Sequence, residues 1–207
     1  MNQKNSLGLD ICFKDEDNPL KLFEEWFDLA KEKEPNDPNA LALATSDKEG
    51  NPNVRMVLLK GFSEKGFVFY TNLNSPKSKA LLANPKASMC FHWKSLRRQV
   101  RVIGKVEEVS ANEADDYFNS RPYKNRIGAW ASSQSEILDQ RETFLNRIKD
   151  FEKKYPDQQN VPRPPHWSGW RLLPEEIEFW LDGEGRIHER LNYKKNNNKW
   201  ERELLYP

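Results

Sequence analysis

The sequence predicts an α+β fold: an antiparallel barrel, closed or nearly so, with helices packed outside it. Three features carry that expectation. The apolar period changes from three-and-four to two at Ala40. The runs that follow are short and rich in Val, Leu, Phe and Tyr, and they are punctuated by turn signals such as Asp47-Lys48-Glu49-Gly50 and Ser63-Glu64-Lys65-Gly66. Strands joined by tight turns leave few parallel crossovers, which favours an antiparallel barrel over a βαβ sheet.

Asn18-Pro19 opens the first helix, because asparagine caps free N–H groups and proline suits the first helical position. Leu22, Phe23, Trp26, Phe27 and Ala30 then form one apolar stripe, and Pro35 and Pro38 stop the helix after Glu34. Strands are expected near 40–46, 53–61, 67–72, 86–93 and 97–109, with a short helix over 75–84 between the third and fourth. Ser110-Ala111-Asn112-Glu113 is a capping box, so helices follow near 110–120, 123–130 and 136–155. Further strands fall near 168–173, 175–181, 186–193 and 199–205. The proline-rich stretch 161–165 reads as a stiff surface connection. Residues 1–17, polar and without a clear period, read as a mobile arm before a single domain spanning 18–207.

A chain of 207 residues suits one domain with a full core. With 33 Lys and Arg against 32 Asp and Glu, it has no overall attraction for nucleic acid or anionic membrane, so any anion site is local. Lys94, Arg97, Arg98 and Arg101 beside Trp93 read as a turn and a solvated strand face rather than a nucleic-acid patch. Cys12 and Cys90 offer neither a disulfide framework nor metal-ligand spacing, which fits a reducing cytoplasm. Strand alternation and a loop explain Cys90, His92 and His166 without a metal. No stretch approaches the roughly 18 apolar residues of a spanning helix, and no apolar run follows a basic N-terminal segment, so neither insertion nor export is expected.

The most informative segment is Ile177-Glu178-Phe179-Trp180-Leu181-Asp182-Gly183-Glu184-Gly185-Arg186-Ile187-His188-Glu189-Arg190. In a strand, Arg186, His188 and Arg190 share one face, where they either converge on a ligand or form an incidental solvated basic face. The segment closely resembles the signature of the pyridoxamine 5'-phosphate oxidases, in which Glu-aromatic-Trp leads to Arg-aliphatic-His-acidic-Arg. The resemblance runs from about Asn18 to Pro207. It includes Arg55-Met56-Val57-Leu58-Leu59-Lys60, Phe69-Tyr70-Thr71-Asn72, Arg98-Gln99-Val100, Ser120-Arg121-Pro122, Ile127-Gly128-Ala129-Trp130 and Gln134-Ser135. It departs at Pro76, Asn125 and Leu181, where the family usually carries arginine, serine, and Gln, His or Gly.

What the resemblance implies is a split β-barrel of the FMN-binding type, acting as a homodimer with FMN at the subunit interface. The implied activity is oxidation of pyridoxamine or pyridoxine 5'-phosphate to pyridoxal 5'-phosphate by dioxygen, releasing hydrogen peroxide and, from the amine, ammonia. By the same resemblance, FMN is held by Arg55, Met56, Val57, Leu58, Leu59, Lys60, Tyr70, Thr71, Lys77, Gln99, Gln134, Ser135, Trp180 and Arg190. Lys60, Tyr117, Arg121 and Asn125 serve the substrate phosphate. Arg186, Ile187 and His188 meet its pyridine ring, with Arg186 and His188 as the pair nearest the chemistry.

The residue types suit these tasks. Arg55 and Lys77 offer charge-assisted hydrogen bonds, Lys77 near a helix N-terminus, and Gln99 and Gln134 match donors and acceptors on a flavin ring. Pro76 removes one phosphate cation, so weaker FMN retention is expected unless Lys77 or Lys79 compensates. In a regular strand Arg55 and Lys60 would face opposite sides, which calls for a bulge or a reach around an edge. A nicotinamide-dependent flavin reductase and a non-enzymic carrier of FMN or pyridoxal phosphate are the competing readings.

Overall fold

Strand β1 (Ala40–Ser46) alternates buried and half-buried residues along its length, as a period-two apolar pattern requires. It belongs to a nine-stranded antiparallel sheet, seen in a computed structural model that describes residues 3–207. The other strands are β2 (Pro52–Leu58), β3 (Gly61–Ser63), β4 (Gly66–Asn72), β5 (Lys86–Trp93), β6 (Arg98–Glu108), β7 (Trp167–Leu181), β8 (Glu189–Asn196) and β9 (Lys199–Leu204). The order is β2-β1-β5-β6-β7-β4-β3, with β8 paired to β7 and β9 to β8.

The long strand β7 splits the barrel. β6 pairs with it almost throughout, but its other edge is shared, β4 taking 167–172 and β8 taking 176–181. The sequence suggests two strands broken at Pro174, whereas a single 15-residue strand runs through. Glu175 bulges out where the partners step from Gly104 opposite Pro174 to Ile103 opposite Glu176. A residue without an N–H fits there, because the ladder is already interrupted. The backbones come so close that a Cβ on Gly104 would lie 1.9 Å from the Leu173 carbonyl oxygen.

β2 ends at Leu58, short of the expected 61. Leu59 turns inward, its N–H donating to the Asn39 carbonyl, and the Lys60 N–H crosses to the Val68 carbonyl on β4. Arg55 and Lys60 therefore lie on either side of a strand end, and neither a bulge nor a reach around an edge is needed.

Helix α1 (Pro19–Lys33) buries the predicted stripe against the sheet. The Phe23 ring sits 4.9 Å from those of Phe62 and Phe67 and 5.1 Å from that of Phe91, while Trp26 meets Phe179 at 5.2 Å. Burying each such ring is worth about 1.5–3 kcal/mol, so this cluster ties α1 to the barrel. Helices α2 (Pro76–Ala83), α3 (Ala111–Ser120), α4 (Tyr123–Ala131) and α5 (Arg141–Lys154) complete the chain. A second core of Phe118, Ile127, Val161 and Trp167 joins α3 and α4 to the start of β7.

Two further expectations are revised. α5 starts at Arg141 rather than 136, because Glu136 closes a separate turn, its N–H donating to the Ser133 carbonyl at 3.0 Å, and Gln140 before the helix is extended (φ −154°, ψ 153°). The stretch 161–165 is not purely superficial: Val161 is buried and the Pro162 carbonyl accepts from Trp130 Nε1 at 2.7 Å.

Where a mobile arm is expected, residues 3–17 lie docked on the domain. Leu9 and Phe13 are buried, Tyr193 donates to the Glu16 carbonyl at 2.7 Å, and the Lys4 ammonium and Asp10 N–H both meet the Glu189 carboxylate. Single apolar anchors in a polar segment leave no period to detect. Residues 1 and 2, also in the predicted arm, lie outside the described residues.

Candidate active site

Between the end of β2, strand β4, the head of α2 and helices α3 and α4 lies a cleft of about 810 Å³. Of the residues singled out from the sequence, Met56, Val57, Leu58, Lys60, Tyr70, Thr71, Lys77, Tyr117, Arg121, Asn125 and Gln134 line it.

One wall is cationic. Pro76 starts α2, which places Lys77 in the first turn, and its ammonium donates to Gln134 Oε1 (2.7 Å), Thr71 Oγ1 (2.9 Å) and Ser75 Oγ (3.1 Å). Burial, helped by the charge of Arg55, holds the Lys77 ammonium down at about 8. Arg55, itself lowered by burial, donates to the Leu43 carbonyl at 3.1 Å and Thr45 Oγ1 at 2.7 Å. Among the described residues no carboxylate pairs with either cation, so a bound anion would relieve their mutual repulsion. Lys79 is exposed on the same helix.

The opposite wall is aromatic. Tyr70 stacks on Tyr117 at 4.0 Å and on Trp167 at 5.4 Å, and the Arg121 guanidinium lies 4.7 Å from the Trp167 ring. Burial pushes the Tyr70 phenol up to about 12, with the Glu113 charge adding to it, so Tyr70 stays protonated. Burial also lowers Arg121, and its Nη1 is buried without a hydrogen-bond partner. An unmade bond at a buried donor costs about 1–3 kcal/mol, which a ligand oxygen would recover. Asn125 and Lys60 are exposed at the rim.

The remaining predicted residues lie outside this lining. Arg55 stands behind it, Leu59 is in the core and Ser135 is exposed at a φ of 71°. Gln99 faces Trp180 across β6 and β7, and Trp180 faces Arg190 across β7 and β8. Arg190 donates through Nε to Glu178 at 2.8 Å and through Nη1 to the Tyr206 carbonyl at 2.8 Å. Glu178, only 3% exposed, also pairs with Arg101 at 3.4 Å.

The shared strand face for Arg186, His188 and Arg190 is not formed. β8 begins at Glu189, and Arg186 ends a 3-10 turn (Glu184–Arg186) in which both Gly185 and Arg186 have a φ of 64°. The turn is forced by a tight closure, since a Cβ on Gly183 would lie 1.8 Å from the Ile187 carbonyl oxygen. Arg186 and Ile187 are exposed, and the His188 ring tilts over Trp180 at 4.6 Å.

Sequence reasoning missed Trp167, the ring that joins Tyr70 to Arg121. It also missed Glu178 and Asp182 as holders of Arg190 and His188, although both lie inside the signature segment. A carboxylate one or two residues from a predicted ligand contact was the available signal; for Trp167 no local signal exists.

The sheet order, the fork at β7 and a cleft at the open edge define a split-barrel protein of the FMN-binding type. Two solved structures share this architecture. PhzG from Burkholderia lata 383, in complex with tetrahydrophenazine-1-carboxylic acid, superposes with a TM-score of 0.89 at 28% identity, covering 95% of this chain and 96% of that one. A pyridoxamine 5'-phosphate oxidase-related, FMN binding protein from Nostoc punctiforme gives 0.73 at 20% identity, covering 92% and 98%. Residues 29–155 match the family model described as pyridoxamine 5'-phosphate oxidase, and residues 167–207 match the pyridoxine 5'-phosphate oxidase C-terminal dimerisation region. The pyridoxine/pyridoxamine 5'-phosphate oxidase of Pelagibacter ubique is 61% identical over 208 residues, covering 100% of both chains. The chain belongs to the pyridoxamine 5'-phosphate oxidase family.

Proposed function

We propose that the protein is a cytoplasmic, homodimeric, FMN-dependent oxidase that converts pyridoxamine or pyridoxine 5'-phosphate to pyridoxal 5'-phosphate with dioxygen. The observation that carries this reading is the presence at one cleft of two cation groups, Lys77 with Arg55 behind it, and Arg121 with Lys60 at the rim. A phosphorylated cofactor and a phosphorylated substrate require two such sets. The donor set fits FMN: Lys77 at the head of α2, with Arg55 of β2 near it, both without a carboxylate partner among the described residues, for its phosphate, Thr71 and Gln134 for polar edges, and the Met56 and Leu58 side chains as apolar wall.

When bound, FMN supplies a two-electron acceptor for hydride from the substrate carbon and returns the electrons to dioxygen as hydrogen peroxide. The protein contributes alignment. Arg121, fixed on Trp167, holds the substrate phosphate, and the stacked rings of Tyr70 and Tyr117 wall off water beside it. Arg186, Ile187 and His188 face the pyridine ring from the other subunit. Support for that division comes from exposed apolar residues beside each half, Met56 (65% exposed) on edge strand β2 and Ile187 (73%) on the turn, and from the matched dimerisation region. Gln99, Ser135, Trp180 and Arg190 join the cofactor at the same interface. Residues 18–207 form one domain, through which the sheet is continuous. The cytoplasmic assignment rests on the two free cysteines, Cys12 and Cys90, which suit a reducing compartment.

The test is an aerobic assay on the purified protein. A flavin absorbance spectrum, with pyridoxal phosphate and peroxide appearing together on addition of either substrate, is the expected outcome. A yellow protein that consumes only nicotinamide donors would instead be a reductase. One that binds FMN or pyridoxal phosphate and turns over neither substrate would be a carrier.

A further inference from the structure

Glu113, Tyr117 and Arg121 lie four apart on α3, so they follow one face of the helix over about 12 Å, from its first turn to the residue that ends it. Tyr117 and Arg121 reach the cleft. Glu113, outside it, is held by Arg171 of β7, whose Nη2 donates to both carboxylate oxygens at 2.7 and 2.6 Å. The Arg171 side chain is only 12% exposed, which spares the pair much of the screening that weakens surface ion pairs. The capping box expected here is therefore put to another use: the Glu113 N–H donates to Ser110 Oγ at 3.2 Å, while the carboxylate is taken by Arg171.

Arg171 stands on the same platform as the ring stack. Trp167, Gly169 and Arg171 share one face of β7, and Tyr70 lies directly opposite Gly169 in the ladder with β4. Gly169 makes room for the Tyr70 ring, since a Cβ there would lie 2.7 Å from Tyr70 Cδ1. Tyr117 then stacks on Tyr70 at 4.0 Å, and Arg121 lies over Trp167 at 4.7 Å. The start of α3 is tied to the same strand, the Val109 N–H donating to the Gly169 carbonyl at 3.0 Å. From a different side of the helix Asp115 pairs with Arg163 at 2.6 Å, and Arg163 Nη1 donates to the Trp167 carbonyl at 2.7 Å. Ties on two sides fix the rotation of α3 about its axis, and a rigid helix carries a shift of its first turn to its last.

We propose that Arg171, acting through Glu113, is the positioning residue for the phosphate-binding face of α3, setting the helix so that Tyr117 and Arg121 meet the phosphate of the substrate. The inference rests on the oxidase reading above for the identity of that substrate.

The experiment uses the FMN-loaded protein and the variants Arg171→Met, Arg171→Lys and Glu113→Gln. Three quantities are read: kcat and KM for pyridoxamine phosphate from peroxide release, FMN affinity from fluorescence quenching, and pyridoxal phosphate affinity from its absorbance change. Arg171→Met should raise KM about 10- to 100-fold, the scale of a displaced binding group, with kcat and FMN affinity little changed. Mere loss of stability would lower kcat through the active fraction and leave KM alone. Arg171→Lys, which keeps the charge, restores most of the loss. Glu113→Gln repeats the effect and serves if Arg171→Met does not fold, and the double variant costs no more than either single one, because both remove the same pair. An unchanged KM, additive effects in the double variant, or FMN affinity that falls in step with KM overturns the proposal. If the natural protein binds pyridoxal phosphate and oxidises neither substrate, the oxidase reading fails. A weakened pyridoxal phosphate affinity in Arg171→Met then still supports the positioning role, and an unchanged one removes it.

Discussion

Raising the pH from 7 to 9 probes the cation at the head of α2. Lys77 is held at about 8 by burial and by Arg55, so it is about nine-tenths charged at pH 7 and about one-tenth at pH 9, each unit changing the ratio tenfold. A phosphate monoester is a dianion throughout that interval, its second pKa being about 6. Only the protein side titrates, and a bound dianion restores Lys77 toward its ordinary range. FMN affinity should therefore fall about tenfold between pH 7 and 9, about 1.4 kcal/mol.

Lys77→Arg stays charged across the interval and should lose the slope, whereas Lys77→Met should bind weakly at both ends. Quenching of FMN fluorescence at fixed ionic strength measures this, since salt would otherwise screen the same contacts. Wild-type affinity that is flat from pH 7 to 9, or an equal fall in Lys77→Arg, refutes the reasoning. Stability without FMN runs the other way. The unfolded chain, with Lys77 at its ordinary value of 10.5, binds more protons than the folded one above about 8, so stability rises with pH between those values.

Three further outcomes follow from the geometry. Glu178→Ala leaves Arg190 and Arg101 without their carboxylate; it should lower the unfolding free energy by about 3 kcal/mol, the low end for a broken buried pair because both arginines keep some solvent, as read from the urea midpoint. Gly104→Ala places a methyl against the Leu173 carbonyl oxygen at the β7 bulge and should cost about 1–3 kcal/mol or more, seen as a lowered Tm. Arg121→Met removes a donor that no protein group satisfies; KM for the phosphorylated substrate should rise about one to two orders of magnitude with FMN affinity unchanged, and a rise in both constants together would place Arg121 elsewhere.

Elements with one buried face could be read along the chain. α1, β1, β4 and β5 lie where the period placed them, within a residue or two, because burial on one side imposes three-and-four or two on the sequence. The family was identifiable from the signature segment for a related reason: residues of fixed type at fixed spacing keep their order in one dimension. The Arg186 geometry was not identifiable, since a glycine-driven turn overrides a period-two count and nothing in Gly183-Glu184-Gly185 says which residue takes the left-handed backbone.

Patterns along the chain were thus enough for the family, the antiparallel class and most of the residues that line the cleft. Folding in three dimensions settled the fork of the sheet, the bulge at Glu175 and the meeting of Tyr70, Tyr117, Arg121 and Trp167 around one ring stack. Tyr70 and Trp167 stand on strands joined through nearly a hundred intervening residues, and they stack because β4 and β7 pair in one particular register. Side-chain periodicity reports which face of an element is buried; it carries no information about which distant face it is buried against.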